Sequence, residues 1–438
     1  MLWIVFDINQ SFEQLLDDGG LGTLSFGSSL SVLTKKKDRV MNIAELKSRS
    51  AAVNPLAVID RLIAELELTP TQYGDATKSY EAVAAVLQKI DPQLSPSIFP
   101  QGSMRLGTTV RPIHEDRFDL DVVCWLNVSG KHHTPDQVFN VVWDALGQSA
   151  VHSQMRSKMN RCIRLEYAPE RKFYLDVTPA VPDWAQTDSL YVPDRERKQW
   201  CSSHPIGFCD SWFKKAAEIL PTIIRHELFA NARSLEFVLA KNAYVEPMPE
   251  YGEFEKTPLQ RIVQMLKRDR DEYFQDDAAH RPSSILLTTI TTQSYSSLVS
   301  QPVGDLLEFV VKVVEKLPEF ILAAGVPGSR KFYVMNPVNA QENFAENWSE
   351  EHYKRFRVWH GRETAALQKL QQSKGRGADV MLKSLSESFG NERVIRAAKA
   401  LGADTSALHE AGKLRVASGT VGAVGTAIPK TIYFGSAK

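Results

Sequence analysis

The sequence predicts an α+β protein of two lobes: a mixed β-sheet braced by helices, and a helical bundle beyond it, with a cleft between them. Three observations carry the prediction. FDLDVVCWL (118–126) has the alternation of a strand set among apolar neighbours. RCIRLEY (161–167) and KFYLDVTPAV (172–181) are β-rich and flank the turn-like APER, which is the pattern of a hairpin. After about residue 205 the chain instead carries apolar residues at three-to-four spacing, the period of amphipathic helices.

Residues 1–40 read as a poorly patterned N-terminal extension. MLWIVFDINQ is apolar but interrupted by Asp7 and has no basic residues before it, so it matches neither a signal peptide nor a membrane span. The sheet lobe is expected over 41–205, opening with two helices that brace the back of the sheet. Ile59, Leu62, Ile63 and Leu66 form the stripe of the first. Thr69-Pro70 starts the second, with Thr as N-cap and Pro in the first turn, burying Tyr73, Ala76, Tyr80, Val83 and Leu87. The helical lobe is expected over 206–411, from WFKKAAEILPTIIRHE through TPLQRIVQMLKRDRDEYF, SSILLTTITTQSYSSLV and VGDLLEFVVKVVEKLPEFILA to NWSEEHYKRFRVWHGRETAALQKL. Residues 412–438, rich in Gly, Ala and Val, read as a flexible or extended tail.

The chemistry is concentrated in two of the strands. Side chains alternate across a strand, so Asp119 and Asp121 share one face while Phe118, Leu120, Val122 and Cys124 share the other. Two carboxylates so placed repel each other unless a cation intervenes, and Mg²⁺ is the cation that prefers carboxylate oxygens together with phosphates. Asp176, between Leu175 and Val177 in the second hairpin strand, offers a third carboxylate, enough for a two-metal phosphoryl-transfer site. A lone strand Asp is more often an edge residue. The pattern gains weight from Gly102-Ser103, which opens a short polar loop upstream, and from the LDVTPA string around Asp176.

Gly-Ser, then Asp-x-Asp on a strand, then one Asp on a later strand resembles the polymerase-β-like nucleotidyltransferases. PQGSMRLGTTVRP, FDLDVVCWL, FYLDVTPAVPDW, SSHPIGFCDSWF, TPLQRIVQMLKRDRDEYF, SSILLTTITTQSY and NPVNAQENFAENW, in this order, resemble the bacterial cGAS/DncV-like nucleotidyltransferases (CD-NTases) of anti-phage (CBASS) signalling. The resemblance implies a bilobal polymerase-β-like core with a helical lobe and the active site in the cleft. It implies an enzyme that joins NTPs, ATP among them, into a cyclic di- or trinucleotide second messenger and releases pyrophosphate. Two Mg²⁺ ions, replaceable by Mn²⁺, would sit on Asp119, Asp121 and Asp176, with Gly102 and Ser103 holding the β/γ-phosphates. Arg105 and Arg111 lie close enough to assist, although either could instead pair with Glu115 or Asp116. Lys267, by composition part of a solvated helix turn, would by resemblance contact nucleotide phosphate. Ser283 and Ser284 start a helix, where simple N-capping is the composition-based reading and contact with the donor triphosphate the one the family implies. A downstream effector that senses the product, and accessory regulatory proteins, would be its partners.

Lys plus Arg and Asp plus Glu are both 52, so the formal net charge is zero. That disfavours a broad duplex-binding face, so no nucleic-acid activator is expected. The four cysteines lack zinc-ligand spacing; Cys124 and Cys162 read as buried strand thiols, and a disulfide-free chain fits a reducing cytoplasm with no membrane association. Two rival readings are a non-cyclising transferase of the same fold, which tails RNA or modifies a small molecule or protein, and a silent nucleotide-binding scaffold. The first would want a basic RNA-binding surface, and the second would be expected to have lost a metal ligand.

Overall fold

The computed structural model describes residues 62–373 except 64, 112, 114–116, 169–170, 172, 184–188, 223–243 and 250–255, together with short stretches between 383 and 427. All of them lie in the compact unit spanning 40–438. The extension at 1–40 lies outside the described residues, as do Glu115 and Asp116.

Strand β1 (Ser97–Pro100) runs antiparallel to β2 (Phe118–Trp125), the predicted Asp-x-Asp strand. β3 (Arg156–Lys158) and β4 (Ile163–Glu166) lead into β5 (Phe173–Pro182), and β4 and β5 form the expected hairpin. β5 also lies parallel to β2, with eight residue pairs in unbroken register from Phe118↔Phe173 to Trp125↔Ala180. β6 (Leu190–Asp194) and β7 (Gln199–Ser203) extend the far end of β5, and β8 (Tyr244–Val245) closes the opposite edge beside β1. The result is one mixed eight-stranded sheet.

Its back face is apolar for the reason the alternation gave. Leu120, Val122, Leu175 and Val177 are fully buried, each contributing about 1.5–3 kcal/mol. Helix α1 (Pro70–Leu87) covers that face with Ala76, Tyr80, Val83 and Leu87, and its start is fixed by a capping box between Thr69 and Gln72. A one-turn helix, α2 (Gly102–Leu106), stands where the sequence suggested a loop, and α3 (Pro135–Gly147) completes the brace.

Leu62, Ile63 and Leu66 are buried, but not behind the sheet. They join the core of the helical lobe, so the bracing expected of this segment is corrected here. An amphipathic stripe reports that a face is buried, not which core buries it.

The second lobe begins with wide π-helical turns at Gly207–Lys214 that pass into α4 (Lys215–Glu218). Ile219 is extended and Pro221 follows, so the predicted long helix stops there; its remainder from 223 on lies outside the described residues. α5 (Pro258–Tyr273), α6 (Ser284–Leu298), α7 (Leu306–Lys316) and α8 (Glu350–Gln372) form the bundle. Between α7 and α8 come two small hairpins, β9 (Leu322–Ala324) with β10 (Lys331–Tyr333), and β11 (Met335–Asn336) with β12 (Asn339–Asn343). The described part of the tail is extended, as three short paired strands at 415–417, 420–422 and 426–427. Among the described residues no helix is long and apolar enough to cross a membrane.

Candidate active site

The parallel register of β2 and β5 sets Asp121 directly beside Asp176. Neighbouring strands lie about 4.8 Å apart, so both carboxylates and that of Asp119, two residues along β2, open on one patch of the sheet. Arg164 on β4, the register partner of Asp176, holds the patch together. Its Nε donates to Asp176 Oδ1 at 2.8 Å, and its Nη2 donates both to Asp176 Oδ2 at 2.7 Å and to Asp119 Oδ1 at 3.1 Å.

Burial pushes the Asp121 carboxyl up to about 7, and the charges of Asp119 and Asp176 push in the same direction. Asp119 keeps 54% of its side chain exposed. It too is raised, by partial burial and by Asp176, while Arg164, Arg281 and Lys267 oppose the shift. The patch is therefore acidic beyond what its basic neighbours neutralise. The donor set, three carboxylates of hard oxygens, fits Mg²⁺ or Mn²⁺. Among the described residues no three such side chains already converge on a single point, and Asp176 turns both oxygens to Arg164.

Gly102 explains why the Gly-Ser turn comes first. Its φ is +61°, and a Cβ built there would stand 2.3 Å from Asp121 Oδ2. The α2 backbone thus approaches the carboxylate more closely than any other residue type allows. Gln101 N–H donates to Asp121 O, binding this turn to β2. Ser103 follows, with its hydroxyl accepting from Thr109 Oγ1 at 3.1 Å and its carbonyl accepting from Thr108 N. Asp121, Gln101 and Gly102 line a cleft of about 830 Å³. Its other walls include Ser202 and His204 from the sheet lobe, Ile285 from α6, and Asn343 and Phe344 from the β12 region.

Lys267, on α5, is buried, and its Nζ donates to Thr108 O at 2.9 Å. Burial, then the Arg270 charge, push its ammonium down to about 8, while Asp271, Asp121 and Asp119 pull it back up. It is thus within electrostatic reach of the acidic patch and is not the solvated lysine of the composition-based reading. Ser283 is the N-cap of α6, its hydroxyl accepting from Leu286 N, and Ser284 Oγ accepts from Arg270 Nη1 at 3.1 Å. Both serines are exposed beside Arg281, whose charge reaches Asp119.

Arg105 is engaged within the protein: its guanidinium is buried and donates to Asp210 at 2.6 Å, to Glu246 at 2.9 Å and to Pro100 O. A side chain with all three nitrogens so committed locks α2 to the π-helical turns. We expect Arg105→Ala to cost roughly 3 kcal/mol in urea unfolding, because Glu246 loses its countercharge and Asp210 is left with Lys214 alone, while the KM for NTP stays within about twofold. A raised KM with unchanged stability would return Arg105 to the phosphate. Arg111 is likewise engaged, by Glu67 O. Cys162 is half-buried at the mouth of β4 rather than in the core, where Asp176 helps to raise its thiol after burial has done most of it.

Sequence reasoning missed Arg164 and Arg281. Arg164 had a signal: pairing Leu165 with Leu175 in the hairpin puts Arg164 opposite Asp176 on the polar face. Arg281 had none, since it approaches from the other lobe.

Residues 57–216 match the Second Messenger Oligonucleotide or Dinucleotide Synthetase (SMODS) domain. The chain is 29% identical over 341 residues to the c-di-GMP synthase of Roseivirga ehrenbergii, which covers 76% of this chain and 84% of that protein. The Bradyrhizobium diazoefficiens CD-NTase CdnG, solved with GTP, superposes with a TM-score of 0.57 at 19% identity, covering 80% of this chain and 98% of that one. CdnC of E. coli MS115-1, solved with HORMA-deltaN, does so with a TM-score of 0.54 at 12% identity, covering 76% and 96%. The SMODS match spans the Gly-Ser turn, the strand-borne Asp-x-Asp that it abuts and the third Asp in register beside it, and the fold is that of the CD-NTase structures the chain resembles.

Proposed function

We propose that this nucleotidyltransferase is a metal-dependent synthase that joins NTPs into a cyclic di- or trinucleotide and releases pyrophosphate. The observation that carries the reading is the in-register placement of Asp121 and Asp176, with Asp119 beside them and Gly102 packed against Asp121. In this reading a ribose hydroxyl attacks the α-phosphorus of a neighbouring NTP and the bond to the β-phosphate oxygen breaks in line. Asp176 takes up the hydroxyl proton, the Gly102-Ser103 turn cradles the departing phosphates, and a second or third transfer closes the ring. Asp119, Asp121 and Asp176 would hold two Mg²⁺ ions, which when bound stabilise charge on the attacking and leaving oxygens. Lys267, with Ser283 and Ser284 at the start of α6, supplies charge and hydroxyls to the donor triphosphate. The ring product serves as a second messenger read by an effector in anti-phage defence. Accessory proteins regulate its synthesis, and CdnC, of the same fold, is seen in complex with a protein partner, HORMA-deltaN.

The test is incubation of the full chain with each NTP alone and with all four, in Mg²⁺ or Mn²⁺. The Roseivirga c-di-GMP synthase makes GTP alone the first to try. A phosphatase-resistant cyclic product with stoichiometric pyrophosphate is expected; an extended polymer would favour an RNA-tailing enzyme, and no turnover a scaffold. Double-stranded DNA or RNA should change the rate by less than about tenfold at physiological salt, since a chain of zero net charge has little excess charge to offer phosphates. A larger stimulation would mean that a local duplex-binding face exists.

A further inference from the structure

We propose that Arg164 is a positioning residue that competes with the metal ions for the catalytic carboxylates, so that its guanidinium sets both the metal affinity of the site and the orientation of Asp176. The inference rests on the proposed metal-ligand role of Asp119, Asp121 and Asp176. It adds a residue that the sequence motif does not contain.

Four observations converge. Arg164 uses the two-nitrogen fork on both oxygens of Asp176 and gives a further bond to Asp119, so one side chain spans carboxylates from two strands. The β4–β5 register places it there by backbone pairing, not by a chance rotamer. Its guanidinium lies 4.4 Å from the Tyr174 ring centroid, and Tyr174 is the neighbour of Asp176 on β5. The Arg164 side chain remains 23% exposed, so it has room to move. A planar cation on an aromatic face has a second place to rest when its carboxylate bonds loosen.

The energetics follow from charge. Three carboxylates attract a divalent cation strongly; a fixed positive charge among them weakens that attraction and withholds the Asp176 oxygens from it. In return the fork holds Asp176 at one angle before any nucleotide arrives, as a group that must meet a ribose hydroxyl requires. Arg164 therefore trades metal affinity for geometry.

Two substitutions separate these effects, and Mn²⁺ binding followed by electron paramagnetic resonance without nucleotide reads the first independently of turnover. Arg164→Met keeps the length and the Tyr174 contact but removes the charge. It should bind Mn²⁺ about tenfold more tightly than the wild-type chain, yet turn over more slowly at saturating metal. Arg164→Lys keeps the charge but not the fork, so Mn²⁺ affinity should stay within about threefold of wild type while kcat falls. A merely structural arginine would not tighten metal binding when removed. Equal or weaker Mn²⁺ affinity in Arg164→Met overturns the proposal, and it does so alone provided that wild-type binding is lost in Asp119→Asn/Asp121→Asn. If that double variant binds Mn²⁺ as wild type does, the metal-site reading itself has failed.

Discussion

Replacing both Asp119 and Asp121 with Asn should reduce product formation by more than about a thousandfold while leaving the chain folded. An amide has nearly the volume of a carboxylate, but it lacks the charge that a divalent ion needs, and two of the three proposed ligands are lost together. The same variant should gain stability in a pH-dependent way. The Asp121 carboxyl titrates near 7 in the folded chain, against 3.8 for an ordinary aspartate. The folded state therefore keeps its proton where the unfolded chain has released it, and stability falls as pH rises between about 4 and 7. Below that window both states are protonated and nothing is lost. Asn does not titrate, so the melting-temperature gain of the double variant over wild type should be small at pH 4 and greatest at pH 8. Adding Mg²⁺ at pH 8 should raise the wild-type melting temperature and narrow the gap. Retained synthesis, or a gain independent of pH, would show that the crowded carboxylates have been misidentified.

The parts legible in the sequence were those written in local periods. Alternation over 118–126 and 172–181 yielded β2 and β5, and the residue types on their polar faces yielded the three aspartates. Capping chemistry was equally readable at Thr69, where the Thr-Pro pair with Gln three residues after the Thr forms a complete box. What resisted reading was the burial of charge. KRDR (267–270) has the composition of a solvated turn, yet Lys267, Arg268, Asp269 and Arg270 are all buried because α5 runs through the middle of its lobe. Each finds a partner that local sequence does not announce. Lys267 donates to Thr108 O, Arg268 to Arg111 O and Arg270 to Pro282 O, while Asp269 accepts from Trp359 Nε1 and Arg362. Arg105 shows the converse. Its nearness to a phosphate-binding turn in sequence suggested a ligand, whereas Asp210 and Glu246, more than a hundred residues away, had already claimed it. Helical periodicity cannot see such partners, since they are set by which elements meet in space.

Gly102→Ala is the substitution for which the geometry predicts the greatest effect from the smallest change. One methyl group is added at φ +61°, where a side chain costs about 1–2 kcal/mol before any contact is considered. That methyl would lie 2.3 Å from Asp121 Oδ2 and 3.1 Å from its Cγ, well inside contact distance, so either the turn or the carboxylate must move. Asp121 is held by β2 on one side and crowded by Asp119 and Asp176 on the other, so the displacement falls on the geometry that in-line transfer depends on. A shift of about 1 Å in such an arrangement costs on the order of a hundredfold in rate. We expect kcat to fall by at least that much, with a melting temperature only a few degrees lower. Gly361→Ala is the control. This glycine lies inside α8, has nothing within 4 Å of a built Cβ, and should gain about 0.5–1 kcal/mol of stability as alanine with activity unchanged. If Gly102→Ala matched the control in rate, the close approach of the Gly-Ser turn to Asp121 would have no part in catalysis, and the phosphate-cradling role of that turn would fall with it.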